Sequence, residues 1–190
     1  MKKILCLTVG QAPRDDVMPE IKPFLKNAAI LEKGALDGLT KEEIEKTMSP
    51  EKNDYILISR LKNKEHVTFA EKYILPKLQK LIDEYESDCD LILFLCTGEF
   101  PDTFTANRPL IFPQKIISAL IPNLINDKAL YVIVPKSEQI AQSLKRWSGL
   151  VKTVYAAYGN PYDKNFDYEP LISDTPTRSE ERRVGKECRS

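Results

Sequence analysis

Three unbroken apolar runs set the pattern of this chain: "KILCLTVG" (Lys3 to Gly10), "LILFL" (Leu91 to Leu95) and "KALYVIVP" (residues 128–135). Each falls well short of the roughly 20 residues needed to cross a bilayer. Each is rich in the side chains that suit a pleated strand covered on both faces. Between them, apolar residues recur at helical spacing. The strongest case runs from Ala70 to Glu86, where Tyr73, Ile74, Leu78, Leu81, Ile82 and Tyr85 form one stripe and Pro76 falls near the first turn. A second helix is expected from Gln114 to Ile125. A third is "EQIAQSLKRWSG", with Ser137 as its N-cap and Gly149 as its end. Strands alternating with helices predict an α/β fold: a mostly parallel sheet with helices on both faces.

Weaker signals fill in the rest. A helix is expected from Arg14 to Lys26, opened by Asp15 and Asp16, although Pro19 and Pro23 oppose a regular one. "AAILEKGALDGL" suggests a short strand turning at Gly34 and Gly38. Thr40 and Glu43 have the spacing of a capping box at the head of "TKEEIEKTM". "DYILISRL" and "EHVTFA" suggest a hairpin joined at "KNKE", and "VKTVYAAYGNP" a final strand entering a turn.

Composition narrows the function classes. With 190 residues, 28 basic and 28 acidic, the chain has a net charge of +0 and no global field for nucleic acid or a membrane surface. The first apolar run is too short for a signal peptide and lacks a cleavage site after it, so a cytoplasmic location is expected. None of the four cysteines stands in a CxxC pair, and His66 is the single histidine, which argues against a zinc site, a disulfide framework or a Ser-His-Asp triad. Gly-rich phosphate motifs are absent, so no nucleotide cofactor is expected. "RSEERRVGKECRS" (residues 178–190) has no apolar periodicity and matches the translation of a common sequencing adapter. A non-native, disordered tail is therefore expected there, with residues 1–177 as one α/β domain that is truncated at its C-terminus and incomplete in its second half.

In a parallel sheet, ligands bind beyond the carboxyl ends of the strands. "VGQAPRDD", "CTGEF", "VPKSEQ" and "AYGNP" all follow strands and should gather on one rim. Cys96 heads the candidates there. It is either a small hydrophobe that closes a core strand or a thiol base or nucleophile, with Thr97 and Gly98 supplying backbone N–H donors. Arg14 is either an anion clamp at the start of a helix or the partner of Asp15 or Asp16. Gln11 and Thr8 are weaker polar candidates on the same loop. Glu99, Asp102 and Arg108 are acid–base or clamping groups, or else solvated loop charges. Tyr158 and Asn160 lie in a turn that could touch a ligand. Cys6, Cys89 and His66 are read as structural.

Taken together, "LTVGQAPRDDV", "GALDGLTKEEIE", "LILFLCTGEFP" and "YAAYGNPY" resemble the AroM protein family over most of residues 3–165. That family looks like a branch of the aspartate/glutamate racemase superfamily. The resemblance implies two similar α/β halves with a site between them, and a cofactor-independent racemase- or isomerase-like activity on a small carboxylic acid. In such racemases two cysteines face opposite sides of a substrate α-carbon; Cys96 matches the first. The second would stand in a later strand-end motif resembling "LDCxGF", which this chain lacks. The resemblance assigns Cys96 the thiol role; the substrate-binding candidates are the rim residues Gln11, Arg14, Thr97, Gly98, Glu99 and Asn160, with no metal expected. The alternative is a non-catalytic carboxylate-binding or regulatory protein that keeps the cleft. The expected partner is a small carboxylate, and oligomer formation is left open.

Overall fold

The first apolar run forms β1, Lys2–Thr8, and its alternate side chains enter two different cores. On one side β1 pairs in parallel with β2, Ala28–Gly34, and on the other with β5, Leu91–Phe94. A two-residue strand, β6, Leu110–Ile111, extends the sheet beyond β5, giving a parallel sheet in the order β2-β1-β5-β6. Leu5, Leu7, Ile92 and Phe94 join the larger core, and Ile4 and Cys6 the smaller one under Met18. Period-two alternation explains the split, because successive strand side chains leave opposite faces.

The structure, a computed structural model, describes residues 1–159, so Asn160 and the segment 178–190 lie outside it. It divides into two compact units, Met1–Asn126 and a second from Asp127 onward. In the first unit the larger core receives Ile44 from α2 (Lys41–Met48) and Leu78 and Ile82 from α3 (Leu75–Tyr85). It also receives Leu57 and Phe69 from an antiparallel hairpin, β3 (Ile56–Arg60) and β4 (His66–Ala70). The smaller core is covered by Met18, Ile21 and Leu25. Parallel strands with both faces covered match the α/β class expected from the apolar runs. The unit ends with α4, Pro113–Ile125.

In the second unit, β7 (Leu130–Val134) and β8 (Val154–Tyr158) pair in parallel around α5 (Ile140–Ser148), a βαβ element that buries Trp147.

Local chemistry accounts for most element boundaries. The Glu43 N–H donates to the Thr40 hydroxyl at 3.2 Å and the Thr40 N–H donates back to the Glu43 carboxylate at 2.8 Å, which fixes the start of α2. Two expectations need correction. The first helix is only α1, Met18–Ile21, followed by a 3-10 turn at Lys22–Phe24. Pro23 has no N–H to continue it, and the Arg14 N–H is held by the Glu32 carboxylate at 2.8 Å instead of entering a helix. Ser137 does not cap α5. It opens a 3-10 turn, Ser137–Gln139, and its hydroxyl lies 2.9 Å from the Glu138 carboxylate.

The loop after β1 is clamped to the end of β2. Asp37 accepts from the Ala12 N–H and the Gly34 N–H, both at 2.9 Å. A Cβ on Gly34 would lie 2.4 Å from the Gly10 carbonyl oxygen and 2.7 Å from the Ala12 nitrogen, backbone atoms that cannot swing aside. Gly34→Ala is expected to destabilise the protein by about 2–3 kcal/mol, the upper part of the overpacking range. Urea unfolding of the two proteins measures the difference.

Candidate functional site

Alternation along β5 places Ile92 and Phe94 on the larger-core face, and Cys96, two residues past Phe94, packs on that same face. The strand is locked in register at this end by the Leu95 N–H, which donates to the Leu7 carbonyl at 2.7 Å. The chain then turns through Thr97 and Gly98. The Gly98 N–H points back at the Cys96 sulfur, with nitrogen and Sγ 3.3 Å apart. A donor so placed supports negative charge on sulfur. The turn packs tightly there: a Cβ on Gly98 would sit 3.1 Å from Leu57 Cδ2 and 3.3 Å from the sulfur itself.

Leu57 belongs to β3, so the hairpin lies against the Cys96 turn. A second contact repeats this at the neighbouring strand end, where a Cβ on Gly10 would fall 1.9 Å from the Ser59 Oγ. Tyr55, just ahead of β3, completes the cover, its hydroxyl accepting from the Glu99 N–H at 3.2 Å. Tyr55 is in turn paired to Glu71, whose N–H donates to the Tyr55 carbonyl at 2.9 Å, one step beyond the Ile56↔Ala70 register pair. The Glu71 side chain is half-buried, and its Oε1 has no hydrogen-bond partner. Burial, and then the nearby Glu99 charge, push its carboxyl up from 4.5 to about 7.

The sequence candidates separate into two groups. Cys96, Thr97, Gly98 and Glu99 form one turn; Cys96 and Gly98 are half-buried, and Thr97 and Glu99 exposed. Gln11 and Arg14 are committed to holding the fold. The Gln11 amide donates to the Leu39 carbonyl at 2.8 Å and accepts from the Lys62 N–H at 3.0 Å, stitching the loop beyond β2 to the hairpin. The Arg14 guanidinium grips Asp16 with two bonds of 2.7 and 2.8 Å and donates to the Thr8 hydroxyl at 2.9 Å. This pairing holds the Asp16 carboxyl below its usual range. Thr8 alternates with Leu7 and so leaves β1 on the Cys6 side of the sheet, opposite to the Cys96 face. Of the two roles open to Arg14, the geometry realises the ion pair.

Asp102 and Arg108 lie further along the same loop. Asp102 pairs with Lys115, and Arg108 Nε donates to the Glu86 carbonyl at 3.2 Å. A cleft of about 340 Å³ opens beside them, with walls that include Phe104, Phe112 and Lys115. Cys96 and Gly98 do not line it, so volume and chemistry point to different places, and the chemistry is the better guide to a proton-transfer site. Tyr158 ends β8 in the second unit, and Asn160 lies outside the described residues. Among the described residues no three His, Cys, Asp or Glu side chains gather as a metal site, and no helix is long and apolar enough to cross a membrane.

Sequence reasoning did not single out Tyr55 or Glu71, which lie beside the Cys96 turn. The available signal was the hairpin register: counting outward from the "KNKE" turn takes the ladder to Ile56↔Ala70, with Tyr55 and Glu71 the next residues at the open end.

A family model described as AroM protein matches residues 4–170 of the chain. No curated protein and no solved structure matches it.

Two outcomes test this geometry. Cys6 is sealed at 0% exposure, and burial together with the Glu32 charge pushes its thiol up to about 11. Cys89 is buried too, and desolvation pushes its thiol up. Iodoacetamide at neutral pH is therefore expected to modify Cys96 well before Cys6 or Cys89, as peptide mass mapping would follow.

The second outcome concerns stability. Because the folded Glu71 keeps its proton up to about pH 7 while an unfolded one releases it near 4.5, its contribution is full below pH 4.5 and fades as pH rises to about 7. Glu71→Gln should flatten that part of the stability–pH curve, read from urea midpoints across the interval.

Proposed function

Because the chain belongs to the AroM family, we propose that it is a cofactor-independent racemase- or isomerase-like enzyme that handles a small carboxylic acid through Cys96. The observation that carries this reading is the Gly98 N–H held 3.3 Å from the Cys96 sulfur at the carboxyl end of a parallel strand. That is where ligands meet such sheets. A sulfur supported by a backbone donor is suited to removing an acidic proton, and among the described residues Cys96 is the cysteine that is not buried.

The chemistry follows from these groups. The Cys96 thiolate takes the proton from the carbon next to the substrate carboxylate; the C–H bond breaks and an S–H bond forms. The electron pair spreads into the carboxylate as an enediolate. The Gly98 N–H, held against the sulfur, supports the thiolate before the proton moves, since preorganised donors act where charge sits. Returning a proton to the other face completes inversion.

A second reading, carboxylate binding without turnover, is favoured by the engagement of Arg14 with Asp16 and Thr8.

One experiment separates the two. The protein is incubated in heavy water with α-amino and α-hydroxy dicarboxylic acids, and loss of the α-proton signal is followed by NMR. Turnover predicts washout of at least one of them, reduced by roughly 100-fold or more in Cys96→Ser, while thermal stabilisation by that acid persists. Stabilisation with no washout in either protein would favour binding alone, and washout equal in both would remove Cys96 from the chemistry.

A further inference from the structure

One face of the hairpin is turned toward the Cys96 turn, and two side chains can be placed on it. Leu57 reaches Gly98, and Tyr55, just ahead of the same strand, reaches the Glu99 N–H. Glu71, the first residue of the 3-10 turn after β4, is tied to the open end of the hairpin by its N–H, which donates to the Tyr55 carbonyl at 2.9 Å. It sits next to the Glu99 charge, and its Oε1 is withdrawn from solvent without a hydrogen-bond partner. A buried carboxylate with an oxygen left in this way is costly, whereas a protonated carboxyl carries a donor to present to an anionic guest.

We propose that Glu71 is the second acid–base group of the Cys96 site, a carboxylic acid that delivers a proton to the carbanion made there. This rests on the Cys96 reading above. The Cys96 thiolate breaks the α-C–H bond and becomes a thiol. The Glu71 O–H bond then breaks as a new α-C–H bond forms, which leaves a Glu71 carboxylate. Transfer of the thiol proton to that carboxylate through solvent restores both groups. Protons and electrons balance without an oxidant, a reductant or a co-reactant. One thiol and one carboxylic acid thereby do the work that two thiols do in the racemases this chain resembles.

The charged neighbours favour a protonated Glu71. Glu99 faces it from the loop after β5, Tyr55 faces it from the start of β3, and the adjacent Lys72 ammonium is held by Glu51 and Asp54, at 2.9 and 3.0 Å. Burial first, and the Glu99 charge second, push the carboxyl up to about 7.

The test uses the full chain. In protein carrying ¹³C-labelled glutamate, the Glu71 carboxyl carbon, assigned by correlation to its backbone, is expected to titrate near pH 7; a midpoint near 4.5 overturns the proposal. The rate of Cys96 alkylation by iodoacetamide is then followed against pH. An inflection near pH 7 in the native chain that vanishes in Glu71→Gln supports a shared site. Superimposable profiles, with Cys96 still faster than Cys6 and Cys89, overturn the Glu71 role and leave the Cys96 reading standing. A Cys96 as slow as Cys6 overturns both. Should Glu71→Gln fail to fold, Glu99→Gln serves in its place: the Glu71 midpoint falls if the two carboxyls face each other, and an unchanged midpoint overturns the proposal.

Discussion

At the carboxyl ends of β1 and β5 the hairpin comes close to the sheet, and a side chain at either glycine there would press on it. A Cβ at Gly10 would meet Ser59 and one at Gly98 would meet Leu57. This steric contact fixes where the Cys96 turn sits relative to Tyr55 and Glu71, and the candidate site depends on it. The same closeness explains why Ser59, a polar residue, is almost fully buried at 2% exposure, while Thr8, on the opposite face of the sheet, is buried at 1%. Thr8 satisfies its hydroxyl with the Arg14 guanidinium and the Gly10 N–H, so its burial leaves no polar group unmatched.

Desolvation acts on several groups in this unit with different consequences. At Cys6 it pushes the thiol up to about 11 inside a sealed core, which makes that sulfur inert. At Glu71 the same effect, helped by Glu99, brings a carboxyl to about 7 on a face that is only half-buried. Burial without access produces a packing residue; burial with access produces a group that can exchange protons at physiological pH. Arg14 shows the opposite balance. Its bidentate bonds to Asp16 favour the charged form of both partners and tie the loop after β1 in place. Of the two sequence readings of Arg14, anion clamp or partner of a neighbouring acid, the structure shows the pair.

The cleft along β6 and α4 is a useful contrast. It has volume, aromatic walls and a Lys115–Asp102 pair, with the Lys115 ammonium 4.9 Å from the centre of the Phe112 ring. It does not contain the Cys96 sulfur. Phe94, Phe100, Phe104 and Phe112 pack between the two regions, with ring centres 4.3–6.2 Å apart. Their contribution is therefore to anchor the long loop that begins at Cys96, through ring packing of the kind worth about 0.5–1.5 kcal/mol a pair beyond simple burial.

The sequence by itself determined the α/β class, the principal strands, the long helix α3, the capping box at Thr40 and the thiol at a strand end. These are local in origin, since an apolar run or a helical stripe carries its own period and a cap satisfies its own backbone. It misjudged the first helix, where Pro23 and the hold of Glu32 on Arg14 compete with the helical pattern, and it missed β6, too short to show a period. Only the tertiary structure decided that Arg14 faces Asp16, that Gln11 is consumed by backbone partners, and that Glu71 comes close to Glu99 in the turn after Cys96. Those outcomes come from segments tens of residues apart being brought within ångströms of one another. No local pattern encodes which of several charged or polar neighbours a side chain will meet.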